Sequence, residues 1–236
     1  MKYLLVFIAF IFLQTEGISQ NLEIGEVKAL LKTYQAEKSE AGLDELLEAT
    51  ETLFDNEEAL SNGLALYLKA EVIKEQILSP DYESPENLDL YLDEVIDTYK
   101  GALIYDRMDK NRYNILLLLY DVKLALTAKG ADYYTLGNYE VAYQYYNAAT
   151  EINEVEIKFP RIARPDTSTI YTAAVVARLA EKDELAMEKF EQVVDLEYYR
   201  QDAYDQLIQL YKKNKFDVKA RKLEIRKNKM FPPEQN

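Results

Sequence analysis

GADYYTLGNYEVAYQYYNAA, residues 130–149, carries apolar side chains at helical spacing on both sides of a single Gly-Asn break. Gly137 can end the helix before it, and Asn138 can cap the one after it. Two helices joined by so short a turn lie side by side.

The same rhythm extends both ways along the chain. Upstream, helices are predicted over Leu22–Ala36, Leu43–Phe54, Glu57–Ile77, Glu86–Tyr105 and Lys110–Thr135. Ser39–Gly42 separates the first two. Downstream, helices follow over Tyr139–Asn153, from Asp166 or Thr167 to Ala180, to Leu196, over Gln201–Lys213 and over Asp217–Asn228. Ser79–Pro85 and Phe159–Asp166 are loops, since paired prolines cannot continue a helix. No segment shows strand alternation bounded by hairpin turns. The expectation is an all-α chain of about five helical hairpins: 22–54, 57–105, 110–153, 166–196 and 201–229, forming one continuous domain over 20–236.

Composition agrees and removes much chemistry. The 236 residues include only 7 Gly and 6 Pro, too few for the turns of an all-β fold. Tyr is abundant at 20, while Trp, Cys and His are absent. Without His or Cys there is no Ser-His-Asp or Cys-His catalysis, no imidazole or thiolate metal ligand and no disulfide. An enzyme would have to rely on Asp, Glu, Lys, Tyr or Ser, as carboxylate-pair glycosidases do. The expectation is therefore no enzyme, no metal and no cofactor. Asp55–Glu58 and Glu154–Glu156 lack the glycine turn of a calcium loop and read as solvated helix ends.

Residues 1–19 read as a signal peptide. Lys2 is the basic start, Tyr3–Leu13 is apolar throughout, and Gly17 and Ser19 are small enough for cleavage before Gln20. Eleven apolar residues rise only about 16 Å, short of a bilayer core of about 30 Å. No later run is long and charge-free enough to span; Ile115–Tyr120 is ended by Asp121 and Lys123.

Charge is segregated. Of the net −14, residues 212–236 hold nine Lys/Arg against three acids, and Lys2 cancels Glu16, so residues 20–211 stand at −20. An acidic body argues against nucleic acid as a partner.

A fixed period ties the helices together. Ala142 and Tyr146 recur as Ala186 and Phe190 after 44 residues, and Ala220 follows Ala186 after 34, with Pro232 closing that unit. With this period, residues 130–149 resemble a tetratricopeptide repeat (TPR), over Lys123–Pro232 in motif and over 22–122 in helix rhythm only. The resemblance implies an α–α superhelix. It implies crossing positions at Gly130 and Ala142, aromatic fillers at Tyr133, Tyr139 and Tyr146, a turn at Gly137 and a small contact residue at Ala149. Ala174, Ala186, Phe190, Ala220 and Pro232 fall on the same pattern. Glu181 stands where a turn glycine is usual, and Glu224 where an aromatic is. The leader ending in Ser19-Gln20 and the Pro165-Asp166-Thr167 opening are similar to exported TPR proteins of Bacteroidetes-type bacteria. That implies a periplasmic or outer-surface location.

In such arrays the first helix of each hairpin lines the inner wall. The resemblance places Tyr67, Tyr134, Tyr171, Arg178 and Lys212 there as candidate partner-binding residues, suited to a peptide or helix of a protein partner. A basic carboxylate clamp is missing, since its positions hold Thr127, Ala131, Tyr171, Val175, Asp205 and Gln209. The expected role is an envelope scaffold for protein–protein contacts. The alternatives are a glycan-associated envelope component or the first part of a longer array.

Overall fold

The computed structural model describes residues 23–79, 88–105, 111–157, 165–197 and 200–232. The leader, and most of the loops around Pro80–Pro85 and Phe159–Arg164, lie outside them. Among the described residues every regular element is a helix. The chain forms two compact units, residues 1–122 and 123–236.

The first unit contains α1 (23–37), α2 (Glu40–Phe54), a 3-10 turn (Glu57–Ser61), α3 (Gly63–Leu78), α4 (Leu88–Tyr105) and the start of α5 (Arg112–Thr135). Ile24, Val27, Leu31 and Tyr34 of α1 form a core with Leu46 and Leu53 of α2 and Leu68 and Val72 of α3. The break expected over Ser39–Gly42 narrows to two residues. The Ser39 hydroxyl oxygen accepts the Gly42 amide at 3.2 Å, so α2 starts at Glu40 and Gly42 lies inside it. The single helix expected over Glu57–Ile77 is divided. Asn62 accepts the amides of Leu64 and Ala65 at 3.0 and 3.2 Å, which ends the 3-10 turn and caps α3.

Two buried polar contacts join helices in this unit. Tyr99 of α4 is fully enclosed and donates to the Ala70 carbonyl of α3 at 2.8 Å. Glu75, also buried, accepts from Lys38, with Lys74 3.3 Å away. Burial pushes the Glu75 carboxyl up, but the Lys38 hydrogen bond and the Lys74 and Lys38 charges outweigh it and hold it below the usual carboxylate range. A carboxyl depressed on folding adds stability that is present above its unfolded pKa and lost as pH falls through the folded one. Glu75→Gln is expected to cost about 1–2 kcal/mol near neutrality, a modest figure because Lys38 is half exposed. Urea titrations should show the gap to wild type closing as pH drops below about 4. An unchanged gap would mean that the charge is not what matters.

The second unit contains the end of α5, then α6 (Tyr139–Ile157), α7 (Thr167–Leu179), α8 (Asp183–Asp195), α9 (Gln201–Lys213) and α10 (Asp217–Met230). From α6 onward each helix packs on the next. Ala142, Ala149, Ala174, Ala186 and Ala220 are all buried. A Cβ on Gly130 would stand 3.0 Å from the Tyr146 ring, so only glycine lets α5 sit this close to α6. Tyr133 stacks on Tyr145, ring centres 5.7 Å apart. Tyr139 is half-buried against the core, and Phe190 is fully enclosed. Pro232 is exposed beyond α10 rather than packed in it. Glu224, where an aromatic is usual, pairs with Lys212, and Phe231 beyond α10 meets Tyr204 edge-on at 5.6 Å.

The repeat is clearest in the backbone. After α5, α7 and α9 the chain makes the same turn. Asn138 N–H donates to Tyr133 O, Lys182 N–H to Ala177 O and Phe216 N–H to Tyr211 O, at 2.9, 2.9 and 2.7 Å. The residue before each donor is left-handed: Gly137 at φ 76°, Glu181 at 60°, Lys215 at 61°. This is the Schellman cap, which satisfies carbonyls that the helix end leaves open. Glycine takes the conformation freely. Glu181 and Lys215 take it against a steric cost of about 1–2 kcal/mol, held by the packed helices on either side.

Candidate protein-docking site

The first helices of the second unit carry most of the residues that the sequence put on an inner wall, and several of these are engaged within the protein. Tyr171 of α7 donates to Asp202 of α9 at 2.6 Å. Arg200 lies over the Tyr171 ring at 4.6 Å and holds the same carboxylate. Burial pushes the Asp202 carboxyl up, yet the Tyr171 and Arg200 hydrogen bonds bring it below its ordinary range. Tyr171 also meets Phe190 edge-on at 6.0 Å. It therefore joins one hairpin to the next. Lys212, expected on the wall, pairs instead with Glu224 of α10 at 2.6 Å. A side chain one residue along a helix turns by about 100°, and it is Lys213 that faces Asp183, at 2.5 Å.

Arg178 and Lys213 share a hollow of about 600 Å³ with Glu181, Asp183, Gln209 and Leu210. Arg178 donates to the neutral Gln209 at 3.2 Å, and no carboxylate pairs with it among the described residues. Small-molecule pockets are mainly apolar with a few polar groups. This lining is charged with one leucine, which suits the polar end of a protein segment better than a buried organic ligand.

Tyr134 is exposed and leans on Tyr139, ring centres 5.5 Å apart. In the first unit, half-buried Tyr67 donates to Glu71 of its own helix at 2.6 Å. Burial and then that carboxylate raise the Tyr67 phenol well above its ordinary value.

A row of exposed apolar side chains lies outside the candidate residues that the sequence pointed to. Along one face of α5, Tyr113, Leu117, Tyr120 and Leu124 are 67, 48, 50 and 49 % exposed. Their spacing of 4, 3 and 4 is that of a coiled-coil seam. Ala128 and Ala131, also exposed, continue it. The opposite face, with Ile115, Leu119, Val122 and Leu126, is fully buried. The signal was present in the sequence: Ile115–Tyr120 is apolar on every side, more than one buried face requires. Among the described residues, no helix is long and apolar enough to cross a membrane, and no three Asp or Glu side chains are grouped to hold a metal.

These helices define an all-α, TPR-like protein of successive helical hairpins. No family model matches the chain, and no curated protein matches it in sequence. A solved structure described as a functional characterisation of Pseudomonas aeruginosa pilF bears a weak likeness to the chain. It is 18 % identical, covers 93 % of this chain and 79 % of its own, and has a TM-score of 0.35. A likeness that slight carries no argument about function.

Proposed function

We propose that this chain is an exported scaffold of the cell envelope that docks a helix of a partner protein along the exposed face of α5. The observation that carries the reading is the row of partly exposed Tyr113, Leu117 and Leu124 along one face of α5. A continuous exposed row of large apolar side chains marks an interaction surface. Its heptad spacing fits a partner helix rather than an extended peptide. Export rests on the leader, with Lys2, the Tyr3–Leu13 run and the small Gly17 and Ser19 before Gln20. The charged hollow around Arg178 offers a second contact to an acidic group of a partner.

A photo-crosslinker placed at Leu117 or Leu124 tests the reading in the native envelope. It should capture one protein that a crosslinker at an exposed α1 position does not, and that protein, purified, should bind wild type directly. Leu117→Glu with Leu124→Glu is expected to weaken that binding at least about 100-fold, an effect of about 2.7 kcal/mol. Stability should stay within about 0.5 kcal/mol, since both sites are half exposed. Unchanged binding by the double variant would overturn the proposal.

A further inference from the structure

The basic stretch that ends the chain divides in two. Lys212, Lys213, Lys219, Arg226 and Lys227 pair with Glu224, Asp183, Glu191, Asp195 and Asp205. These pairs clip α10 to α8 and α9 and link α9 to the start of α8. They account for five of the nine cations. Lys215, Arg221, Lys222 and Lys229 are exposed and make no ion pair among the described residues. Three of them lie on one face of α10 with Val218 and Ile225, which are 70 and 64 % exposed. Positions 218, 221, 222, 225 and 229 share a helix face, opposite the buried Ala220 and Leu223. This outward surface is basic and apolar in a chain of net charge −14.

Its complement lies on α2. Glu40, Asp44, Glu48, Glu51 and Asp55 follow at spacings of 4, 4, 3 and 4, on the face opposite buried Leu46 and Leu53. All five are exposed, and none is ion-paired among the described residues. Like charges at such spacings destabilise a helix; Glu40, in the first turn, is favoured by the helix dipole, but the acids further along are not. The row is about 22 Å long. Arg221 to Lys229 spans about 12 Å, and Lys215 in the preceding turn extends it.

We infer that the outward face of α10 docks on the acidic row of α2 in a second copy of this chain. Two different patches meet, so the contact is head-to-tail and can repeat from copy to copy. Net negative charge opposes it at long range. At about 0.1 M salt the Debye length is only about 10 Å, so the facing rows outweigh the distant charges.

Sedimentation velocity of the purified protein tests this. At about 0.1 M salt the sedimentation coefficient should rise with concentration, and at about 1 M, where the Debye length is about 3 Å, it should return to that of the single chain. Arg221→Glu, Lys222→Glu and Lys229→Glu together should abolish association, as should Asp44→Lys, Glu48→Lys and Glu51→Lys together. Mixing the two reversed variants should restore it, which also shows that both are folded. A wild type that stays single at about 0.1 M would overturn the inference, as would association indifferent to salt or a mixture that fails to associate. Binding of α10 to phosphatidylglycerol vesicles without self-association would assign the face to a membrane and overturn it equally.

Discussion

Phe190→Ala should lower the unfolding free energy of the second unit by about 3–5 kcal/mol, the usual cost of deleting a buried aromatic ring. Phe190 is fully enclosed in the core that α6 to α10 share. Its ring meets Tyr171, which is tied in turn to Asp202 and Arg200. The surrounding helices are held by backbone caps and ion pairs, so they have little freedom to close over the cavity. Loss of a hairpin contact also weakens its neighbours, because a repeat buries its faces only against the next one. Urea denaturation followed by far-UV circular dichroism measures the loss. Phe190→Leu, which keeps most of the volume, should cost under about 1.5 kcal/mol. A loss below about 1 kcal/mol for the alanine variant would show that the ring is not a keystone of this core.

Tyr99→Ala should be as damaging to the first unit, again by about 3–5 kcal/mol. Here two contributions can be separated. The ring is fully buried between α3 and α4, and its hydroxyl reaches the Ala70 carbonyl. Burial drives the phenol well above its ordinary pKa, which favours the neutral, donating form. Tyr99→Phe keeps the ring and removes only that donor. Its expected cost is about 0.5–1.5 kcal/mol, the net worth of one hydrogen bond. Hydrogen exchange should show lost protection concentrated in α3 and α4. Equal losses for the two variants would mean that the hydroxyl, and not the ring, holds these helices together.

The all-α class and the run of helices were legible because apolar spacing and capping residues agree at most boundaries. Asp166 accepts the Thr169 amide, and Asn138 the Val141 amide, at the positions from which helices were expected to start. Where the reading went astray, one side chain carried more than its pattern revealed. Asn62 sits in an unbroken apolar rhythm yet divides a helix, because its carboxamide can serve two amides at once. Tyr145 and Tyr204 are more deeply buried than the tyrosines the repeat pattern points to. Periodicity places a side chain on a face but does not say how far the neighbouring helix leans over it. The candidate wall was harder still. Tyr171 and Lys212 are found where the period puts them in sequence, but each side chain is drawn into a polar contact with another helix that the period does not specify, Tyr171 with Asp202 and Lys212 with Glu224. The α5 row was visible only as an excess of apolar residues, and nothing in sequence order says which of its faces the core leaves uncovered.

The three Schellman turns bear on how this chain can be altered. Gly137, Glu181 and Lys215 share a conformation with little in common as side chains. What recurs is a backbone path with no spare residue. Inserting even one amino acid there would misalign both helices that the turn joins. The step from Ala142 to Ala186 is 44 residues against 34 from Ala186 to Ala220, so the sequence already carries ten extra residues between the hairpin of α5 and α6 and that of α7 and α8. Fusion tags and fluorophore-bearing cysteines belong in that longer connection. The tight turns tolerate exchange of side chains but not a change in residue count.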